Sequence, residues 1–125
     1  MTVIADTNAV LAFLLEDRPA ERRIVADWVA DHGPLLITEA VFIETFWVLG
    51  GGLAASRGDL VERVRRLIAS SSFGAWDDGL VAMTLELMEA HPRLAAVDCI
   101  LAARALRGDT VVTFDRRLDR VLEQL

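Results

Sequence analysis

The chain has 125 residues, the usual size of one compact domain, so we expect a single domain over residues 1–125. Hydrophobic residues make up 54% and charged residues 26%, which excludes a disordered or low-complexity protein. The 13 basic and 19 acidic residues give a net charge of -6, which excludes nucleic-acid binding by overall charge. All 13 basic residues are arginine, so mechanisms that need a lysine are excluded as well.

Cysteine content and apolar runs bear on the location of the protein. The single cysteine, Cys99, cannot form an internal disulfide, which is typical of a cytosolic protein. The first apolar run ends at Asp6, and no run approaches the ~18–20 residues that cross a bilayer. We therefore expect a cytoplasmic protein without membrane contact. The mean hydropathy of +0.38 is high for a small domain and favours an apolar subunit or partner interface.

Hydrophobic periodicity and helix-breaking residues predict alternating strands and helices. The wholly apolar runs at 3–5 and 35–37 are typical of buried parallel strands. Further strands are predicted at 73–76 and 111–113, and helices at 9–15, 20–31, 39–49, 56–69, 78–90, 95–106 and 115–122. This alternation predicts an α/β fold, a three-layer α/β/α sandwich around a mainly parallel sheet. Ligands of such sheets bind beyond the carboxyl ends of the strands.

Two local patterns lead to more specific expectations. In the second predicted helix Ile24, Trp28 and Val29 share one face, which we expect to be buried. The triplet Gly50-Gly51-Gly52 is expected to end the third helix. It lacks the lysine that follows the glycines of a phosphate-binding loop, so a nucleotidase of that type is excluded.

Four carboxylates differ from the other acidic residues in having apolar surroundings. Asp6 and Asp115 follow closely after predicted strands. Glu44 and Asp98 have apolar residues three and four positions away on both sides, so we expect both to lie on core-facing helix surfaces. Buried carboxylates repel one another and need compensation by an arginine, a divalent cation or a proton. Oxygen ligands in a chain with 2 histidines favour Mg²⁺ or Mn²⁺ over zinc, and paired ions of this kind cleave phosphodiesters.

Each of these acids also has a structural explanation. Asp6 is a good N-cap for the first helix, as Thr38 is for the third. Asp98 lies near a helix start, where the helix dipole stabilises negative charge. For Glu44 the alternative is an ion pair with an arginine. The combination of four acids, more than any one of them, indicates a metal site.

The four acids and their flanking residues resemble the motifs of PIN-domain nucleases. The matching segments, in chain order, are Asp6-Thr7-Asn8, residues 38–44 with Glu44, residues 97–103 with Asp98, and residues 111–115 with Asp115. They span nearly the whole chain in the order and approximate spacing of that family. The length of the chain is similar to that of the VapC toxins of bacterial toxin–antitoxin pairs.

This resemblance implies a Mg²⁺-dependent endoribonuclease, with Mn²⁺ as the other candidate metal, that hydrolyses RNA such as tRNA or ribosomal RNA. It also implies a homodimer and a cognate VapB-type antitoxin that blocks the site. The catalytic metal ligands would be Asp6, Glu44, Asp98 and Asp115. Asn8 and Thr113 would be supporting polar residues that orient ligands or phosphate.

Arginines close in sequence to the third and fourth acids are candidates for RNA contact, because guanidinium groups fit phosphate well. They are Arg104, Arg107, Arg116, Arg117 and Arg120. An equally consistent interpretation is that the arginines of the last helix pair with Asp119 or Glu123.

Two other functions remain open at this point. A haloacid-dehalogenase-like phosphatase also has an aspartate after its first strand, but it usually uses a lysine, and Asn8 stands where its second aspartate is expected. A non-catalytic PIN-like module would bind RNA or protein without cutting. An RNA cleavage assay with and without Mg²⁺ separates that module from a nuclease.

Overall fold

The computed structural model describes residues 1–50 and 56–125. The chain divides into two compact units, Met1–Trp76 and Asp77–Leu125. Of the triplet predicted to end the third helix, Gly50 is still helical, and Gly51 and Gly52 lie outside the described residues.

The first unit combines helices with a parallel strand pair. Its elements are α1 (Thr7–Leu14), α2 (Pro19–His32), β1 (Leu35–Ile37), α3 (Glu39–Gly50), α4 (Arg57–Ala69) and β2 (Phe73–Ala75). Strands β1 and β2 pair in parallel, with Leu35 opposite Phe73 and Ile37 opposite Ala75. Parallel neighbours need a crossover connection, and α3 and α4 provide it. The strand predicted at 73–76 and the parallel pairing are confirmed.

The prediction of a buried strand at residues 3–5 is wrong. Only Ile4 forms a bridge, isolated and parallel, to Leu36. The N–H of Ala5 donates to the Leu36 carbonyl at 2.9 Å, and the Leu36 N–H donates to the Val3 carbonyl at 2.8 Å. Ile4 is 60% exposed whereas Ala5 is buried. Successive side chains of extended backbone point to opposite sides, so a segment packed on one side buries every second residue.

The core of the first unit is built mainly from aromatic and aliphatic side chains of α1, α3 and α4. Phe42 is buried and contacts Phe46 and Trp76 edge to face, with ring centroids 5.1 and 5.5 Å apart. Val10 and Leu11 of α1 are also buried, and α1 packs against α2, α3 and α4. These contacts fix the helices that carry the acids of this unit.

The buried face of α2 in the structure is shifted by about one residue from the face that the sequence predicts. Ile24 is 59% and Trp28 48% exposed, whereas Val25 is buried and Val29 half-buried. Val25 and Val29 are four residues apart and form one stripe, and a shift of one residue turns the helix by about 100°. Trp28 stacks on His32 with centroids 4.9 Å apart.

The second unit consists of three helices, α5 (Asp78–Ala90), α6 (Ala96–Leu106) and α7 (Arg116–Gln124). The start and end predicted for α5 are confirmed. Helix α6 packs against both neighbours. It buries small side chains, Cys99, Ala102 and Ala103, which let adjacent helices approach closely.

The strand predicted at residues 111–113 is wrong, because residues 107–115 contain no strand. Val112 is 86% and Phe114 99% exposed. β-branched residues favour a strand only where a neighbouring strand supplies hydrogen bonds and a packing surface, and this helical unit supplies neither.

Helices and a parallel strand pair make the fold class α/β, as the sequence predicts. None of the helices in the described ranges has the length and apolar character required to cross a lipid bilayer.

Candidate active site

In the second unit, Asp98 and Asp115 come from the N-terminal ends of two helices that pack together. Asp98 lies in the first turn of α6, and Asp115 is the N-cap of α7. A helix N-terminus carries a partial positive charge, so it stabilises a carboxylate there. The fold therefore offsets part of the cost of placing two negative charges near each other.

The two carboxylates interact electrostatically. Asp98 is half-buried. Burial raises the pKa of Asp98, and the negative charge of Asp115 raises it further. A cation bound at these oxygens would relieve both effects.

Asp115 is held in one orientation by three hydrogen bonds. Its Oδ1 accepts from the N–H groups of Arg117 at 2.9 Å and Leu118 at 3.0 Å. Its own N–H donates to the Thr113 hydroxyl oxygen at 3.0 Å. The side-chain bonds use Oδ1 only, and Oδ2 accepts none from the described residues of this unit. The arrangement leaves one oriented carboxylate oxygen for a ligand.

Asp6 of the first unit is held in the same way. It is the N-cap of α1, and its Oδ1 accepts from the Ala9 N–H at 2.9 Å. The side chain is exposed, and Asn8 is exposed in the first turn of the same helix. The capping role expected for Asp6 is thus present. A cap occupies one oxygen, so the other oxygen stays free for a ligand.

Glu44 does not lie on the buried side of its helix, and the expectation that it does is wrong. The buried residues of α3 are Phe42, Thr45, Phe46 and Leu49. Glu44 is exposed, two residues from Phe42 and therefore about 200° around the helix from it. It forms no ion pair with a described residue of its unit, so the arginine partner is absent there. Thr38 caps this helix, accepting from the Val41 N–H at 3.4 Å.

The arginines predicted to bind RNA differ in their environments. Arg107 donates two hydrogen bonds to Asp77, at 2.6 and 2.8 Å. Arg104 is half-buried in α6, whereas Arg116 and Arg117 are exposed in the first turn of α7. Among the described residues of this unit neither Arg116 nor Arg117 pairs with Asp119 or Glu123. The guanidinium of Arg107 is thus engaged in a structural contact.

Sequence reasoning missed Asp77, which proves to be the N-cap of α5 with Oδ1 accepting from the Leu80 N–H at 3.0 Å. Its position directly before a predicted helix was a usable signal for a cap. Its pairing with Arg107, 30 residues later, had no local signal.

The donor set at Asp98 and Asp115 consists of carboxylate oxygens, which suit hard cations such as Mg²⁺ or Mn²⁺ rather than thiolate- or imidazole-bound metals. Within the described part of each unit, no group of three or more His, Cys, Asp or Glu side chains is placed to hold a metal ion. In the second unit, Asp98 and Asp115 are carboxylates that interact electrostatically with each other.

The α/β chain thus has helix-capping carboxylates at Asp6 and Asp115 and a half-buried carboxylate at Asp98. The chain matches the family model of the PIN domain over residues 3–123, nearly its full length, and it belongs to the PIN domain family. No curated protein and no solved structure matches the chain. PIN domains are commonly nucleases that use divalent metals, which supports a hydrolase acting on nucleic acid.

Proposed function

We propose that the protein is a Mg²⁺-dependent endoribonuclease, with Mn²⁺ as the other candidate metal, and that residues 1–125 act as one nuclease domain. The proposed metal ligands are Asp6, Glu44, Asp98 and Asp115. Membership of the PIN domain family supports the nuclease class. The assignment of Asp6 and Glu44 rests on the resemblance of their motifs to those of the family.

The observation that carries the proposal is the arrangement of Asp98 and Asp115. They come from two packed helices, and the charge of one acts on the other. A purely structural pair of carboxylates would destabilise the fold without compensation. A divalent ion bound at this pair would compensate the repulsion between the two carboxylates.

The chemistry that a bound ion supplies is a water nucleophile of lowered pKa and neutralisation of the charge that develops on the phosphate. The protein residues orient the ligands. Asp115 is fixed by its cap bonds and by Thr113, so Oδ2 keeps one direction. Asp98, with its pKa raised by burial, offers an oxygen of higher basicity and hence a stronger ligand. Asn8, exposed beside the Asp6 cap, is proposed as a second polar contact for ligand or phosphate.

We further propose a role as the toxin of a VapC-type toxin–antitoxin pair, with a VapB-type antitoxin as inhibitor, a homodimer as the functional state, and tRNA or ribosomal RNA as substrate. The support is the family membership, together with the resemblance to these toxins that the sequence analysis notes. Induced expression followed by sequencing of cellular RNA ends tests this role. Specific new ends within tRNA or ribosomal RNA, together with growth arrest, are the expected result. Normal growth with no new RNA ends would refute the toxin role.

Cleavage of purified RNA tests the catalytic assignment. Wild type is expected to cut with Mg²⁺ and to stop with EDTA, and Asp98→Asn and Asp115→Asn are each expected to lose at least about 100-fold in rate, since even outer-shell changes at metal sites cost 10–100-fold. Asp119→Asn is the matched control, because Asp119 is an exposed acid of α7 that is not a proposed ligand. Cleavage that resists EDTA, or that Asp119→Asn reduces equally, would refute the assignment. RNA binding without any cleavage would identify a non-catalytic module.

A further inference from the structure

A cleft of about 380 Å³ lies within the second unit, between the connection from α5 to α6 and one face of α7. It is lined by Ala90 at the end of α5, by residues 91–94 of the connection, and by Arg117, Arg120, Val121 and Gln124 of α7. Leu94 and Val121 are buried and form its floor. The α7 residues recur at intervals of three and four, so they share one side of the helix.

The lining is basic in an acidic protein. It includes three arginines, Arg93, Arg117 and Arg120, together with His91, and no acidic residue. The whole chain, in contrast, has 19 acidic against 13 basic residues. The three arginines are exposed, and among the described residues of this unit none of them forms an ion pair. Three guanidinium groups around one cleft repel one another until an anion binds there.

The cleft is close to the proposed catalytic carboxylates. Arg117 and Arg120 follow the N-cap Asp115 by two and five residues, which is ~3 and ~7.5 Å along the axis of α7. On the other side, Arg93 and Leu94 directly precede α6, whose first turn holds Asp98. We therefore expect that a strand whose scissile phosphate lies at Asp98 and Asp115 has a neighbouring phosphate within reach of these arginines.

We propose that the cleft lined by Arg93, Arg117 and Arg120 is a phosphate-binding subsite for an RNA strand, which holds a nucleotide next to the one that is cut. The subsite rests on the proposed nuclease function. The volume of the cleft suits one nucleotide rather than the surface of a folded partner, because pockets for small ligands start at ~300 Å³. Guanidinium groups from two separate elements also match a phosphate, which presents oxygens in several directions. Arg93 is new in this role, beside Arg117 and Arg120, which the sequence analysis names as candidates for RNA contact.

RNA binding in EDTA, measured by fluorescence anisotropy with a short labelled single-stranded RNA, tests the subsite without metal-dependent cleavage. Arg93→Gln and Arg120→Gln are each expected to weaken binding about equally for different RNA sequences. Each is also expected to reduce the slope of log K against log salt by ~0.7, the value for one lost phosphate contact with a single strand. Arg63→Gln is the matched control, since Arg63 is an exposed arginine of α4 without an ion pair among the described residues. Circular dichroism melting confirms that the variants fold.

The outcomes separate the subsite from the nuclease. If wild type cleaves RNA with Mg²⁺ but the two cleft variants bind RNA like Arg63→Gln, the subsite is wrong and the nuclease stands. If wild type does not cleave but the cleft variants lose RNA binding, the nuclease function is wrong, and the cleft stands as an RNA-binding site only. Polyglutamate is the probe for an acidic protein partner. If the cleft variants lose affinity for polyglutamate and keep that for RNA, the cleft binds protein and the proposal is overturned.

Discussion

The carboxylate of Asp77 and the guanidinium of Arg107 form two parallel hydrogen bonds, Nη1 to Oδ2 at 2.6 Å and Nη2 to Oδ1 at 2.8 Å. Asp77 caps the start of α5, and Arg107 is the C-cap of α6. The paired geometry is the strongest arrangement of these two groups. This ion pair joins the start of α5 to the end of α6, opposite the loop that connects the two helices. It therefore holds the two helices together at that end.

Low pH is expected to weaken the ion pair between Asp77 and Arg107. The hydrogen bond from Arg107 is the largest cause that lowers the pKa of Asp77, from 3.8 to about 2. A carboxyl whose pKa is lower in the folded state stabilises the fold above its unfolded pKa, and this contribution is lost as the pH falls through the folded pKa. The wild type should therefore lose more stability than Asp77→Asn between pH 3.8 and about 2.

Urea unfolding over this pH range measures the effect. Asp78→Asn is the matched control, because Asp78 is the exposed acid next to Asp77 and makes no ion pair with Arg107. It should retain the pH dependence of the wild type. If Asp77→Asn and Asp78→Asn give the same curve, the ion pair does not contribute to folding.

Gly79 lies under the same guanidinium, and its replacement tests the contact sterically. A Cβ added at Gly79 would lie 2.7 Å from Nη2 of Arg107, so the arginine must shift. Alanine in a helix normally stabilises by ~0.5–1 kcal/mol relative to glycine. Gly79→Ala is therefore expected to gain less than this in the wild type and the full amount in an Arg107→Gln background.

A double-mutant cycle of unfolding free energies gives the coupling between positions 79 and 107. Gly58→Ala is the control in the first turn of α4, where the nearest atom to an added Cβ is the Ser56 Oγ at 3.9 Å. Gly58→Ala should gain the same unfolding free energy in the wild type and in the Arg107→Gln background. Equal gains for Gly79→Ala in both backgrounds would show that the arginine is not held over the helix.

Asp6 has two roles to separate, a cap that the structure shows and a metal ligand that we propose. Asparagine caps a helix about as well as aspartate, but it lacks the charge that binds a cation. Asp6→Asn is expected to keep the stability of the wild type within ~0.5 kcal/mol and to lose at least about 100-fold in Mg²⁺-dependent cleavage. Asp6→Ala should lose the cleavage and also ~0.5–2 kcal/mol of stability.

Thermal melting measures the stability of each variant, and RNA cleavage by the same samples measures its activity. Ser56→Ala is the control for cap loss alone, because the Ser56 hydroxyl caps α4 by accepting from the Asp59 N–H at 3.2 Å. This variant should be less stable but active below its melting range. An active Asp6→Asn would leave Asp6 with the capping role only.

Local chemistry predicted the elements well where the chain itself supplies the signal. Caps and periodicity placed α5 within its observed bounds and placed Asp115 at the start of α7. The errors concern contacts with distant residues. The segment at 111–113 has strand-forming residues, but within its helical unit no partner strand supports them. The buried face of α2 differs by one residue, because hydrophobicity alone does not tell Ile24 from Val25.

The candidate acids show the same difference between local sequence signals and contacts with distant residues. Asp98 lies half-buried beside Asp115, as its apolar neighbours in sequence indicate. Glu44 has similar apolar neighbours and is exposed, because α3 buries only the face of Phe42 and Phe46. Neighbours at three and four positions report on one side of a helix, and they predict burial only where that side is packed against another element. Arg93 had no signal at all, since a loop residue before α6 joins the basic cleft only in three dimensions.

The repulsion between Asp98 and Asp115 predicts opposite effects of one substitution with and without metal. In EDTA the half-buried charge of Asp98 destabilises the fold, because burial and Asp115 both raise its pKa. Asp98→Asn removes that charge, so its melting temperature in EDTA should exceed that of the wild type at neutral pH. As the pH falls through the raised pKa, Asp98 becomes neutral and the wild type should approach the variant.

Added Mg²⁺ should reverse the order. An ion that binds the folded state raises its stability in proportion to the logarithm of the free metal concentration above the Kd. The wild type should therefore gain melting temperature with Mg²⁺, and Asp98→Asn should gain little. Asp119→Asn, the control on α7, should respond like the wild type. A wild-type melting curve that Mg²⁺ leaves unchanged would contradict the metal site, and a less stable Asp98→Asn in EDTA would show that the carboxylate pair is not under repulsion.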